Sequence, residues 1–126
     1  MLSGKILVVD DSRTIRRQVT FILNQAGYQT IEAEDGVNAI TKLETNPEIN
    51  MVISDVNMPN MNGLEMVERI RSTRRYDSLP VIILTCENNS TLIRRAKAAK
   101  VEYWLNKPFT PDKLIYIAKA LVKVLS

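Results

Sequence analysis

An α/β fold, a parallel sheet covered by helices, is predicted by three features of this chain. Short β-branched runs alternate with segments of helical periodicity along its whole length. The runs at 6–9, 51–53 and 81–84 are continuously apolar, as strands buried on both faces should be. Polar residues follow those runs (Asp10 and Asp11, Ser54 and Asp55, Thr85), at the sheet edge where open α/β folds place ligands.

The elements follow in order. After the strand at 6–9, Ile15, Val19, Ile22, Leu23 and Ala26 fall at i, i+4, i+7, i+8 and i+11, one apolar stripe of a helix. Ser12 is placed to cap it and Gly27 to end it. The run Gln29–Ala33 reads as the second strand, and Gly36–Thr45 as a helix with Val37, Ile40 and Leu43 inward. The strand at 51–53 leads to a helix at 62–74 with Leu64, Val67 and Ile70 inward, and the strand at 81–84 to a helix at 90–99. A weaker strand at 103–105 precedes a fifth helix at 111–125, whose opening Pro111 suits a first turn. Five β-α repeats fill residues 1–126, so a single domain is expected, with no linker or second domain.

Composition narrows the chemistry. The 126 residues include no histidine, which removes imidazole bases, Ser-His-Asp triads, histidine-bound metals and any phosphohistidine on this chain. A single cysteine, Cys86, excludes an internal disulfide and a cysteine-clustered metal site. The formal charge is +3, and the basic residues gather at Arg13, Arg16 and Arg17, at Arg71, Arg74 and Arg75, and from Arg94 to Lys100. No aromatic residues interleave there, so solvated helix faces are expected rather than a nucleic-acid surface. The longest apolar run, 114–118, is too short to span a bilayer, and the N-terminus lacks a signal-like segment. A cytoplasmic protein without membrane insertion is the expectation.

Four strand ends thus bring Asp10, Asp11, Asp55, Thr85 and Lys107 to one edge. Crowded carboxylates repel, and a hard divalent cation is their natural neutraliser. Mg²⁺ fits better than Ca²⁺, because it binds few carboxylates, keeps waters and bridges to phosphate. Lys107 and Thr85 supply an ammonium and a hydroxyl for phosphoryl oxygens. Asp55, alone on the central strand, is the candidate nucleophile for an aspartyl phosphate.

The segments Val9-Asp10-Asp11-Ser12, Ala33-Glu34-Asp35-Gly36, Ile53-Ser54-Asp55-Val56-Asn57-Met58-Pro59, Asn62-Gly63, Leu84-Thr85 and Asn106-Lys107-Pro108-Phe109 resemble the receiver domains of two-component response regulators end to end. The stretch from Asn57 to Glu65 and the pair Arg16-Arg17 are most similar to single-domain chemotaxis response regulators. The resemblance implies a flavodoxin-like, doubly wound sheet of order 2-1-3-4-5. It implies that Asp55 is the phosphoacceptor, that Asp10, Asp11, Asp55 and the Asn57 backbone carbonyl hold Mg²⁺, and that Thr85 and Lys107 contact the phosphoryl oxygens. The donor would be a histidine kinase. The output would leave through helix four, strand five and helix five, in chemotaxis toward the flagellar motor switch. A monomer or a weak, phosphorylation-dependent dimer is expected, and a cis Lys107-Pro108 bond. Trp104 stands where the family's switching aromatic is commonly Tyr.

Some residues depart from the family pattern. Lys100-Val101 replace the usual Gly and Ala after the fourth helix, so a residue with a Cβ must take the left-handed stop there. Cys86 follows Thr85 where a small residue is usual, and is read as packing. The fifth helix carries a wide apolar face that includes Leu114, Ile115, Ile117, Ala118, Leu121, Val122, Val124 and Leu125. A stand-alone receiver acting as a phosphorelay intermediate or a phosphate sink would use the same site, and a receiver fold used only as a dimeriser would not be phosphorylated. A phosphatase with an Asp nucleophile would need a general acid at position 57, where this chain has Asn.

Overall fold

The computed structural model describes residues 4–121. Its elements are β1 (Lys5–Val9), α1 (Arg13–Gln25), β2 (Gln29–Ala33), α2 (Gly36–Thr45), β3 (Ile49–Ser54), α3 (Gly63–Arg71), β4 (Val81–Thr85), α4 (Ser90–Ala98), β5 (Tyr103–Asn106) and α5 (Pro111–Leu121), with a 3₁₀ turn at Arg74–Tyr76. The strands pair in parallel in the order β2-β1-β3-β4-β5. Among the described residues no helix is long and apolar enough to cross a membrane.

Successive strand residues point to opposite faces, and this sorts the core into two layers. Leu7, Val9, Val52 and Ile83 face α2, α3 and α4, packing with Ala39, Leu43, Leu64, Val67, Ile70 and Ala96. Ile6, Val8, Met51, Ile53, Ile82 and Leu84 face α1 and α5, packing with Val19, Leu23, Leu114, Ile117 and Ala118. Both faces are covered, so apolar side chains are needed on both. Each fully buried Leu or Ile contributes about 1.5–3 kcal/mol, which fixes the register of the central strands.

The helices end on local signals. Ser12 caps α1 by accepting from the Ile15 N–H, and Gly27 follows at φ 97°. Asn62 lies outside α3 and caps it in a reciprocal box with Glu65. The helix stops at Arg71, short of the expected 74, and Arg74–Tyr76 form the 3₁₀ turn instead. β3 begins at Ile49, ahead of the apolar run, because Ile49 pairs with Lys5 across a register shift. Val37, expected inward, is exposed, and Ala39 and Leu43 form the buried side of α2. On α5, Leu114, Ile117 and Ala118 are buried and Tyr116 is exposed, while Val122, Val124 and Leu125 lie outside the described residues.

Lys100 takes the left-handed stop after α4, at φ 63°, as its position requires. Arg71 ties this stop to its neighbours. Its Nε donates to the Ala99 carbonyl at 3.0 Å, Nη2 to the Lys100 carbonyl at 3.0 Å, and Nη1 to the Tyr76 carbonyl at 2.6 Å. One guanidinium thus joins the end of α3, the 3₁₀ turn and the end of α4. Arg71 was expected on a solvated basic face, yet its side chain is only 9% exposed.

Candidate functional site

The winding reverses at β1, which lies between β2 and β3, and the site forms beyond the carboxyl ends of β1 and β3. Asp10 and Asp11 leave β1, and Asp55 leaves β3, tied to it by the Asp55 N–H donating to the Val9 carbonyl at 3.0 Å. Carboxylate oxygens of Asp10, Asp11 and Asp55 lie within 4.8 Å of one another, and their side chains range from buried to exposed. This donor set is all oxygen, partly open and rich in charge, and so fits a hard divalent cation.

Lys107 reaches the cluster from the end of β5. Its Nζ donates to Asp10 Oδ2 at 3.0 Å and to Asp55 Oδ2 at 3.1 Å. Burial pulls the ammonium pKa down, but the hydrogen bond to Asp10 and the charge of Asp55 outweigh it, and the net shift is upward. Burial dominates at Asp10 and raises its carboxyl pKa despite the Ser12 N–H and Lys107. Three carboxylates thus face one ammonium, and the cost of burial falls on Asp10. The Lys107-Pro108 bond is cis, as expected.

The remaining oxygens are oriented by the backbone. Asp10 Oδ1 accepts from the Ser12 N–H at 2.9 Å and Asp55 Oδ1 from the Val56 N–H at 2.6 Å. Arg16 was expected on a solvated face; instead its Nη1 donates to the Asp10 carbonyl at 2.7 Å and its Nε to Glu32 at 3.0 Å. The first bond is to a backbone carbonyl, which no residue type marks, and the second depends on β2 lying beside β1.

Thr85 is fully buried at the end of β4, and its Oγ1 accepts from the Glu87 N–H at 3.2 Å. The Lys107 N–H donates to the Thr85 carbonyl at 2.9 Å, so the two residues adjoin through the backbone. Trp104 is half-buried and its Nε1 donates to the Glu87 carbonyl at 3.2 Å. Asn106 Nδ2 donates to the same oxygen at 2.8 Å, a contact that sequence reasoning missed. Asn57 is exposed, two residues beyond Asp55. Cys86 is exposed and borders a groove with Phe21, Ile22 and Phe109, rather than packing inside as expected.

A doubly wound sheet with three carboxylates and a lysine gathered beyond its carboxyl edge defines a class of phosphoryl-handling α/β domain. Comparison with known proteins narrows the class. The family model for the response regulator receiver domain matches residues 6–119. Chemotaxis protein CheY1 of Helicobacter pylori is 43% identical over 111 residues, covering 87% of this chain and 90% of that protein. The CheY homolog of Campylobacter jejuni is 41% identical over 111 residues, covering 87% of this chain and 85% of its own length. The solved structure of Vibrio cholerae chemotaxis protein CheY4 superposes with a TM-score of 0.87 at 37% identity, covering 94% of this chain and 98% of that one. The chain belongs to the response regulator receiver domain family. It is a receiver of CheY type, a phosphorylation-dependent signalling switch.

Proposed function

We propose that this receiver accepts a phosphoryl group on Asp55 from a phosphohistidine of a separate kinase and works in chemotaxis. The observation that carries the reading is the cluster itself: the Asp55 carboxylate, with Asp10 and Asp11 within 4.8 Å and the Lys107 ammonium bridging two of the three. In the transfer an Asp55 oxygen forms the new bond to phosphorus while the bond from phosphorus to the donor imidazole breaks, its electron pair staying on the ring. Asp10, Asp11, Asp55 and the Asn57 carbonyl would hold Mg²⁺, which neutralises charge on the transferring group. Lys107 meets the phosphoryl oxygens that carry the remaining charge.

The Thr85 hydroxyl accepts one bond, from Glu87, and a hydroxyl also has a proton to give. Giving it to a phosphoryl oxygen shifts the β4–α4 turn, because the backbone groups of Glu87 are bonded to Thr85 on one side and to Trp104 and Asn106 on the other. The surface of α4, β5 and α5 is thereby reweighted, and its exposed Arg94, Lys97, Tyr103 and Tyr116 meet the output partner. The relatives are named as chemotaxis proteins, and the resemblance to chemotaxis receivers makes the flagellar motor switch the partner of this reading.

The test is labelling by acetyl phosphate, read by mass spectrometry with and without Mg²⁺. A phosphoryl group mapped to Asp55 only when Mg²⁺ is present supports the reading; labelling at another residue, or none, refutes it.

A further inference from the structure

We propose that Asp35 and Asn60 are positioning residues for the divalent-cation site, acting on it through the loop that carries Asn57. The inference rests on the Mg²⁺ reading above and adds two side chains that would not themselves touch the ion.

The loop between β3 and α3 is fastened at its base and again midway. At the base the Gly63 N–H donates to the Val56 carbonyl at 2.9 Å. A Cβ at position 63 would stand 2.0 Å from the Asp55 carbonyl oxygen, so only glycine allows this approach. Midway, Asn60 adopts the left-handed conformation at φ 66° and its Nδ2 donates to Asp35 Oδ2 at 2.8 Å. Beside it the Gly36 N–H donates to the Met61 carbonyl at 3.0 Å.

Asp35 is buried at the start of α2 and divides its carboxylate between two tasks. Oδ1 caps the helix through the Asn38 N–H at 2.8 Å, and Oδ2 holds Asn60. Serine or threonine would cap as well, but neither has a second oxygen to spare. The need for that oxygen is the reason for aspartate. Asn57 lies between the two fastenings, so the start of α2 and the end of β3 together fix where its carbonyl stands. Groups that orient a metal ligand from behind typically change metal affinity 10–100-fold when removed.

The test uses the unphosphorylated full chain and Mg²⁺ alone, titrated while backbone amide NMR shifts around positions 10–12 and 55–62 are followed. Asp35→Ser keeps a capping oxygen and is too short to reach Asn60, whereas Asn60→Gly keeps the left-handed backbone and removes the amide. Thermal unfolding in EDTA checks that each variant is folded; should Asp35→Ser not fold, Asn60→Gly decides alone. Each variant is expected to bind Mg²⁺ about tenfold more weakly. The double variant is expected to be no weaker than the weaker single one, because both remove the same contact. Wild-type affinity in the variants, or losses that add in the double variant, overturns the inference while the Mg²⁺ reading stands. A wild-type protein that binds no Mg²⁺ overturns both.

Discussion

Replacing Arg71 with Ala removes the side chain that joins α3, the 3₁₀ turn and the end of α4. Three donor–acceptor distances of 2.6 to 3.0 Å carry the contact; a longer one of 3.4 Å to the Asp77 carbonyl and a 3.6 Å ion pair with the partly exposed Glu102 add little. Burial lowers the guanidinium pKa from its ordinary value, but arginine stays charged in proteins. A hydrogen bond from a charged donor is worth about 1.5–3 kcal/mol, so the low end for three bonds, halved because water can reach the freed carbonyls, leaves about 2 kcal/mol. The left-handed backbone at Lys100 is held by its own N–H to the Lys97 carbonyl and by the Val101 N–H to the Ala96 carbonyl, each at 3.0 Å, so its cost is the same with and without Arg71 and adds nothing to the difference. That loss, about 2 kcal/mol, should lower the unfolding midpoint by about 8 °C in a domain of this size. Thermal and urea unfolding followed by circular dichroism measure it. Arg71→Lys should recover less than half, since one ammonium does not satisfy three diverging carbonyls. Lys100→Gly relieves strain that is present in both backgrounds, so it should stabilise the wild type and Arg71→Ala to a similar extent. An unchanged midpoint in Arg71→Ala, or full recovery by lysine, refutes the reasoning.

Other outcomes are expected together with this one. Asp55→Asn should abolish labelling by acetyl phosphate while circular dichroism and the unfolding midpoint show an intact fold. Beryllofluoride with Mg²⁺ should change the fluorescence of Trp104, the sole tryptophan, as its bond to the Glu87 carbonyl is disturbed; a flat signal with Asp55 occupied would make the indole purely structural. Mg²⁺ at a hundred times its dissociation constant should stabilise the wild type by about 2.7 kcal/mol in scanning calorimetry, and Asp10→Asn much less. The Asn38 N–H, followed by the Asn60 amide, holds the Asp35 carboxyl below its ordinary value. Its ionised form therefore stabilises the fold above the unfolded-state pKa of about 3.9, and the contribution is lost as pH falls through the lower native value. The stability gap between wild type and Asp35→Ser should accordingly close on acidification below that range.

The sheet was legible because buried strands must be apolar and helices must carry a stripe, so 6–9, 51–53 and 81–84 read directly as strands. The missed start of β3 has a physical cause: Asn50 interrupts the apolar pattern although Ile49 still pairs. Asp10, Asp11, Asp55 and Lys107 were legible from their places at strand ends, and the structure brings all four together. Arg16, Arg71 and Asn106 were not. Each acts by donating to a backbone carbonyl of another segment, and a carbonyl leaves no mark on the sequence.

The Arg71 clamp also separates the tolerance of the holder from that of the held. Ala99, Lys100 and Tyr76 accept through their carbonyls, so exchanging their side chains leaves every acceptor in place. Glycine at position 100 would relieve the left-handed backbone without freeing residue 71, which still has three carbonyls to satisfy. The same contact thus confines one side chain strictly while leaving three others open to change.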